Sequence, residues 1–171
     1  MAKTRIPPKV LTELNRQLNH ELSAAHAYLA LSAWCATQSL NGFASFFSKQ
    51  SGEEREHAGK IVKHLLDRGL APELAAMGAP KQKFDSLLEV AEQAQTMEQA
   101  NTAGINQAYE VAVAAKDYPA QVLLHWFIRE QVEEEAWAAE MVDRVQAATC
   151  AGSLLDLDRH IEKLLEPDGE D

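Results

Sequence analysis

Apolar positions recur at steps of three and four along four long stretches of this chain, a spacing that predicts four amphipathic helices. Pro7 and Pro8 suit a helix start, and from there to about Thr37 there is no Gly or other Pro. Leu14, Leu18, Ala25 and Leu29 mark the inward seam of this first helix. Ser39-Leu40-Asn41-Gly42 reads as a turn. A second helix is expected from about Phe43 to Arg68, with Phe47, Ile61 and Leu65 inward and Gly69 as its stop. Residues 70–83 hold Pro72, Gly78 and Pro80 and lack a long period, so they are expected to form an extended crossover. A third helix is expected from about Asp85, the predicted N-cap, to Ala115, burying Leu88, Ala91, Ile105 and Ala112. Lys116-Asp117-Tyr118-Pro119 marks a tight break before a fourth helix, which carries Leu123, Phe127, Trp137 and Met141 to about Ala148. Ser153 is the expected cap of a short fifth helix through Leu165, whose Leu154, Leu157, Ile161 and Leu164 share one side. The ends, about 1–6 and 167–171, are expected to be loose.

Two short connections around one long one predict an all-α fold: a four-helix bundle with a long crossover between helices two and three, plus a short fifth helix. The 171 residues suit one domain over the whole chain, 1–171.

Glutamates interrupt these seams. Leu14, Leu18, Glu21, Ala25 and Tyr28 alternate by four and three, which turns Glu21 inward. Phe47, Gln50, Glu54, His57 and Ile61 do the same, placing Glu54 and His57 on adjacent turns of one face. Ala91, Glu98 and Ile105 are seven apart, so Glu98 takes an inward position. In the fourth helix the predicted seam is Phe127, Glu130, Glu134, Trp137 and Met141, with Gln131 beside it. An ionised carboxylate stripped of water must be paired or bound to a cation. No inward Lys or Arg is expected at these heights, because Arg55 and Arg129 fall off the seam. Glu21, Glu54, Glu98 and Glu134 carry four negative charges, which two divalent cations would cancel. The bland alternative, a solvated or protonated glutamate, suits one such residue better than one on every helix.

Oxygen-rich ligation with one imidazole suits iron or manganese better than soft-ligand metals, while zinc and calcium also fit such a cage. A symmetric dinuclear bundle uses Glu-x-x-His twice. This chain has it once and offers Gln131-x-x-Glu134 on the fourth helix instead. The expectation is one tight metal position (Glu21, Glu54, His57) and one looser position (Glu54, Glu98, Glu134, with Gln131 nearby). Tyr28 is a candidate electron or proton donor, with simple packing as the alternative. Glu53, Glu130 and Glu133 could form a third cation position or merely a solvated acidic face. Trp126 reads better as a structural indole than as a redox neighbour, and Glu56 as exposed. His20, His26, His64, His125 and His160 lack ligand-spaced partners.

Composition narrows the function classes. The hydrophobic share is 46% with 8 Gly and 6 Pro, which favours a mostly helical globular domain over a sheet protein or a disordered chain. A net charge of -10 argues against nucleic-acid or anionic-membrane partners. No apolar run approaches a membrane span, and the first residues lack a signal-peptide stretch, so a cytosolic protein is expected. Cys35 and Cys150 are too few and too distant for a disulfide scaffold or zinc knuckle, and are expected as free thiols.

Glu53-Glu54-Arg55-Glu56-His57-Ala58, Asp117-Tyr118-Pro119 and Glu130-Gln131-x-Glu133-Glu134 resemble the non-haem ferritins in order and separation, and Ser32-Ala33-Trp34-Cys35 is similar to the bacterial type. The resemblance runs from about Leu11 to Leu165. It implies a homo-oligomeric cage of twenty-four subunits around an iron mineral, with the fifth helix at the four-fold axes. By position, Glu21, Glu54 and His57 resemble a first iron site. Glu54, Glu98 and Glu134, with Gln131, resemble a second, and Glu53, Glu130 and Glu133 an accessory third. The implied activity is a ferroxidase with catalytic Glu21, Glu54, His57, Glu98, Glu134, Tyr28 and Gln131, oxidising Fe(II) with O2 or peroxide. Animal ferritins line their three-fold channel with acidic residues, where Gln121-Val122-Leu123-Leu124 here has none. Bacterioferritins use a second Glu-x-x-His and a methionine for haem; Arg55 follows Glu54 here, and no haem is expected.

Two other readings share the fold. A rubrerythrin-like di-iron peroxidase would need a second histidine and, for its rubredoxin module, a CxxC pair. A DNA-protecting mini-ferritin would need a basic tail, whereas the N-terminus carries only Lys3, Arg5 and Lys9, and it would lack the fifth helix. A non-catalytic cage subunit would have lost site ligands.

Overall fold

A computed structural model describes residues 6–165. Five helices follow one another: α1 (Pro8–Thr37), α2 (Asn41–Asp67), α3 (Leu87–Ala114), α4 (Tyr118–Ala147) and α5 (Ala151–Leu165). No strand occurs among the described residues. Of the expected loose ends, 1–6 and 167–171, all but Ile6 lie outside them, as do Lys3 and Arg5; Ile6 is buried against the aliphatic side of the core rather than loose.

The turns form where the backbone can reverse. Ser39 and Lys116 take left-handed φ values of 60° and 54°, and Gly69 closes α2 at 78°. Asp117 caps α4 by accepting from the Ala120 N–H at 3.3 Å. It also accepts from the Arg68 guanidinium at 2.8 Å, which ties the end of α2 to the start of α4. The predicted cap of α3 is off by one. Ser86, not Asp85, accepts from the Glu89 N–H, while the Glu89 carboxylate takes the Asp85 N–H at 2.6 Å. Ser-x-x-Glu thus forms a capping box displaced by one residue. Ser153 likewise lies inside the first turn of α5, which begins at Ala151; its hydroxyl accepts from the Cys150 N–H at 3.2 Å and donates to the Cys150 carbonyl at 2.8 Å.

Hydrogen bonds fix the helix directions. Ser32 reaches Ala44 and Ser51 reaches Ala25, so α1 and α2 are antiparallel. Gln121 reaches Ala112 and Gln131 reaches Glu98, so α3 and α4 are antiparallel as well. The crossover runs along α1: Asn15 and Asn19 accept from the N–H groups of Glu73 and Ala75, and Phe84 meets Trp34 edge-on. Helix α5 lies across the start of α2, where Asp158 accepts from the Phe43 N–H at 3.0 Å. Gly42 permits that approach, since a Cβ there would sit 1.6 Å from the Asp158 carbonyl oxygen.

The core falls into two apolar clusters. One is rich in aromatics (Tyr28, Phe43, Phe46, Phe47, Phe84, Trp137), and the other is mainly aliphatic (Val10, Leu14, Leu18, Ile61, Ile105, Leu124). Between them lies a layer of buried polar side chains: Gln17, Glu21, Gln50, Glu54, His57, Glu98, Asn101, Gln131 and Glu134. Three of the apolar seam expectations fail by one position. Leu29 is exposed while Tyr28 is buried, Leu123 is half-buried while Leu124 is fully buried, and Leu88 is half-buried beside buried Leu87. An α-helix drifts about 20° per heptad against a strict seven-residue repeat, so a stripe read by eye slips to the neighbouring residue. No described helix is long and apolar enough to cross a membrane.

Candidate metal centre

Each long helix delivers a carboxylate to the polar layer, because a glutamate replaces an apolar residue in its three-four pattern. Glu21, Glu54, Glu98 and Glu134 are all buried. Glu21, Glu54 and His57 can each place a ligand atom within 4.8 Å of the other two, and among the described residues no other group of three His, Cys, Asp or Glu does so. His57 Nδ1 lies 3.7 Å from Glu54 Oε2.

The four carboxylates differ in their partners. Both Glu54 oxygens and His57 Nδ1 are buried with no amide, hydroxyl, indole or backbone donor, and the only group placed to bond Glu54 is the neighbouring Glu21 carboxyl when it carries a proton. Glu21 accepts from Gln17 Nε2 at 2.7 Å and from Asn101 Nδ2 at 3.2 Å. Glu98 accepts from the Tyr28 hydroxyl on one oxygen and from Gln131 Nε2 at 3.2 Å on the other. Glu134 accepts from the Trp137 indole N–H at 2.5 Å.

Crowding and burial alter their acidity. Burial pushes Glu54 up to about 8; a hydrogen bond with the Glu21 carboxyl opposes the rise, and the Glu98, Glu134 and Glu53 charges add to it. Burial, then the neighbouring Glu54, raises Glu21 well above the carboxylate range. Burial and Glu98 do the same to Glu134, while the Trp137 donor opposes the rise. Glu98 is also raised by burial, offset by its bonds to Tyr28 and Gln131. The Tyr28 hydroxyl is pushed well up by burial and by Glu98. Negative charge without a cation is therefore disfavoured throughout the layer.

Residues on the flank fare differently. Glu130, expected on the seam, is half-buried at its edge; Gln131 takes the core position, following the track of Leu124, Phe127, Gln131, Glu134, Ala138 and Met141. Glu53 is half-buried and Glu133 exposed. These three line one groove of about 700 Å³ between α2 and α4, which reaches in to His57 and Glu134. Their oxygens do not converge to the distance of the Glu21–Glu54–His57 group. Glu56 is exposed. The Trp126 ring meets His57 edge-on at 5.3 Å, with the Lys60 ammonium 4.2 Å from its centroid. Tyr28 packs in the aromatic cluster as well as donating to Glu98. His26, His125 and His160 are exposed, and His20 and His64 half-buried. Both cysteines are free, and burial pushes the Cys35 thiol up to about 12.

Sequence reasoning missed Gln17 and Asn101, two buried amides that hold the centre. A signal was available: Gln17 stands four residues before Glu21 and Asn101 three after Glu98, polar residues one turn from an inward carboxylate.

Fold and layer together define a helix-bundle protein with a carboxylate-rich, single-imidazole centre inside one chain. The chain belongs to the ferritin family, whose ferritin-like domain matches residues 11–148. It is 46% identical over 127 residues to a bacterial non-heme ferritin of Staphylococcus aureus, spanning 74% of this chain and 76% of that protein. The bacterial non-heme ferritin of Staphylococcus saprophyticus is 42% identical over 135 residues, 79% of this chain and 81% of its own. Among solved structures, an open pore ferritin of the hyperthermophilic archaeon Archaeoglobus fulgidus superposes with a TM-score of 0.89 at 32% identity, covering 92% of this chain and 98% of that one.

Proposed function

We propose that this protein is an iron-storage ferroxidase. It takes up two Fe(II) within each chain, oxidises them, and passes Fe(III) to a mineral held inside a shell of its own copies. The observation that carries this reading is the set of buried ligand atoms lacking any donor: both oxygens of Glu54 and Nδ1 of His57, with Glu21 alongside. Such groups are costly when bare and become favourable once a cation sits among them. The relatives' name, bacterial non-heme ferritin, supports iron as that cation.

In this reading Glu21, Glu54 and His57 take the first Fe(II). Glu54 keeps an oxygen for the second, which Glu98 and Glu134 complete. Two Fe(II) balance the four carboxylates. Each iron gives up one electron; O2 accepts both with two protons and leaves as hydrogen peroxide, or peroxide accepts them with two protons and leaves as water. Tyr28, which donates a hydrogen bond to Glu98, is the residue we assign to relay one of those protons. Iron is the substrate rather than a resident group. Its oxidised form leaves through the α2–α4 groove, where Glu53, Glu130 and Glu133 offer an accessory position. The shell is a cytoplasmic assembly of twenty-four chains, with α5 contributing to its closure, and it uses no haem.

The test is aerobic addition of Fe(II) to the purified metal-free protein, following oxidation by absorbance and assembly by mass. A fast phase should saturate near about two to three irons per chain, followed by slow mineral growth. Glu54→Ala and His57→Ala should abolish the fast phase and leave the assembly intact. Oxidation by these variants at the parent rate would overturn the assignment.

A further inference from the structure

We propose that Asn101 is a positioning residue: it locks the Gln131 side-chain amide so that its nitrogen faces Glu98, making Gln131 a hydrogen-bond donor to the centre instead of a metal ligand. This deepens the metal reading above and rests on it.

A short chain of bonds carries the inference. Gln17 Nε2 donates to Glu21 at 2.7 Å and to Asn101 Oδ1 at 2.5 Å. Asn101 Nδ2 then donates to Glu21 Oε2 at 3.2 Å and to Gln131 Oε1 at 3.3 Å. Gln131 Nε2 donates in turn to Glu98 Oε2 at 3.2 Å, the Glu98 carbonyl at 3.3 Å and Thr102 Oγ1 at 3.1 Å. All three amides are buried.

The polarity of this chain follows from its two ends. An ionised carboxylate only accepts, so once a cation ionises Glu21 it requires nitrogen from both Gln17 and Asn101, the orientation the bonds already show. With its nitrogen committed there, Asn101 can accept from Gln17 only through Oδ1, and it meets Gln131 as a donor. Gln131 must therefore present its oxygen to Asn101 and its nitrogen to Glu98. An amide ligates a cation through oxygen, and that oxygen is already engaged on the side away from Glu98. When iron ionises Glu21 and Glu98, the polarity tightens. The result is a second position with one ligand fewer than its residue count suggests, and Glu98 has donors on both oxygens.

Asn101→Leu keeps a similar volume and removes both the donor and the acceptor. Gln131 is then free to turn its oxygen toward a cation beside Glu98 and Glu134. The experiment is anaerobic calorimetric titration of the assembled apo-protein with Zn(II), with Co(II) absorption as a second readout of donor number. Parent protein should bind two ions per chain with unequal affinity. In Asn101→Leu the second ion should bind about tenfold tighter, the scale on which outer-sphere partners alter metal affinity, with an added oxygen donor visible in the Co(II) spectrum. The double variant Asn101→Leu/Gln131→Leu should lose that gain, because the effect acts through the Gln131 oxygen. An unchanged or weaker second ion in Asn101→Leu, or a gain that persists in the double variant, would overturn the proposal. Parent protein that binds no Zn(II) at all would sink the metal reading itself, and the proposal with it.

Discussion

The two sides of the centre use the same residue type in opposite ways. On one side Glu54 presents two bare oxygens beside a bare His57 nitrogen. On the other, Glu98 has a donor on each oxygen and Glu134 is held by the Trp137 indole. A bare buried carboxylate is stabilised chiefly by the cation it will bind, whereas a hydrogen-bonded one is already part of the fold. A cation on the first side gains Glu54 and His57, which give up no amide, hydroxyl or indole donor, and shares only Glu21 with Gln17 and Asn101; on the second, Glu98 and Glu134 must both share or displace existing bonds. On the proposed function, this difference would let one ion be held firmly and another passed along.

The largest expected effect is a reversal of sign. Glu54→Leu should stabilise the metal-free protein by about 1–4 kcal/mol, because a buried carboxyl, costly to bury whether ionised or protonated, is replaced by apolar packing. Glu98→Leu should destabilise it by about 1–3 kcal/mol, because the buried Tyr28 hydroxyl loses its acceptor and the Gln131 amide loses one of three. Denaturant unfolding of both variants without metal measures this, and equal shifts of one sign would erase the contrast.

An intermediate effect concerns pH. Glu54 is raised from 4.5 to about 8, so between these values the folded chain holds protons that the unfolded chain has released. Metal-free stability should therefore be highest near pH 4.5 and fall as pH rises toward 8, the reverse of a salt-bridged carboxylate. Saturating Zn(II) should remove the fall, since the cation replaces those protons. Thermal melts across the range check it, and a metal-free stability that climbs with pH would contradict it.

The smallest is local. Tyr28→Phe removes one donor from Glu98 within an aromatic cluster that keeps its packing. A loss of about 1 kcal/mol of metal-free stability is expected, with assembly unchanged. Comparing denaturation midpoints for parent and variant would detect it.

Much of this was legible in the sequence because repeat patterns survive folding. Glu21, Glu54, His57 and Glu98 each stand on a seam whose neighbours are all buried: Leu18 and Ala25, Gln50 and Ile61, Ala91 and Ile105. Gln131 was harder, since Glu130 and Gln131 both flank a wide stripe and only the packing of α4 against α3 chooses between them. Hydrogen-bond partners were hidden altogether. Gln17, Asn101 and Trp137 reach the carboxylates from one turn away or from another helix, and no spacing along one strand of sequence states which amide will face which acid. The bare atoms of Glu54 were equally invisible, because being unpartnered is a property of the assembled layer.

The most direct test is anomalous diffraction at the iron edge from crystals loaded anaerobically with Fe(II) at increasing ratios. The first peak should appear among Glu21, Glu54 and His57, and a second beside Glu98 and Glu134 only at higher loading. Iron that fills the second position first, or that never enters this layer, would contradict the account.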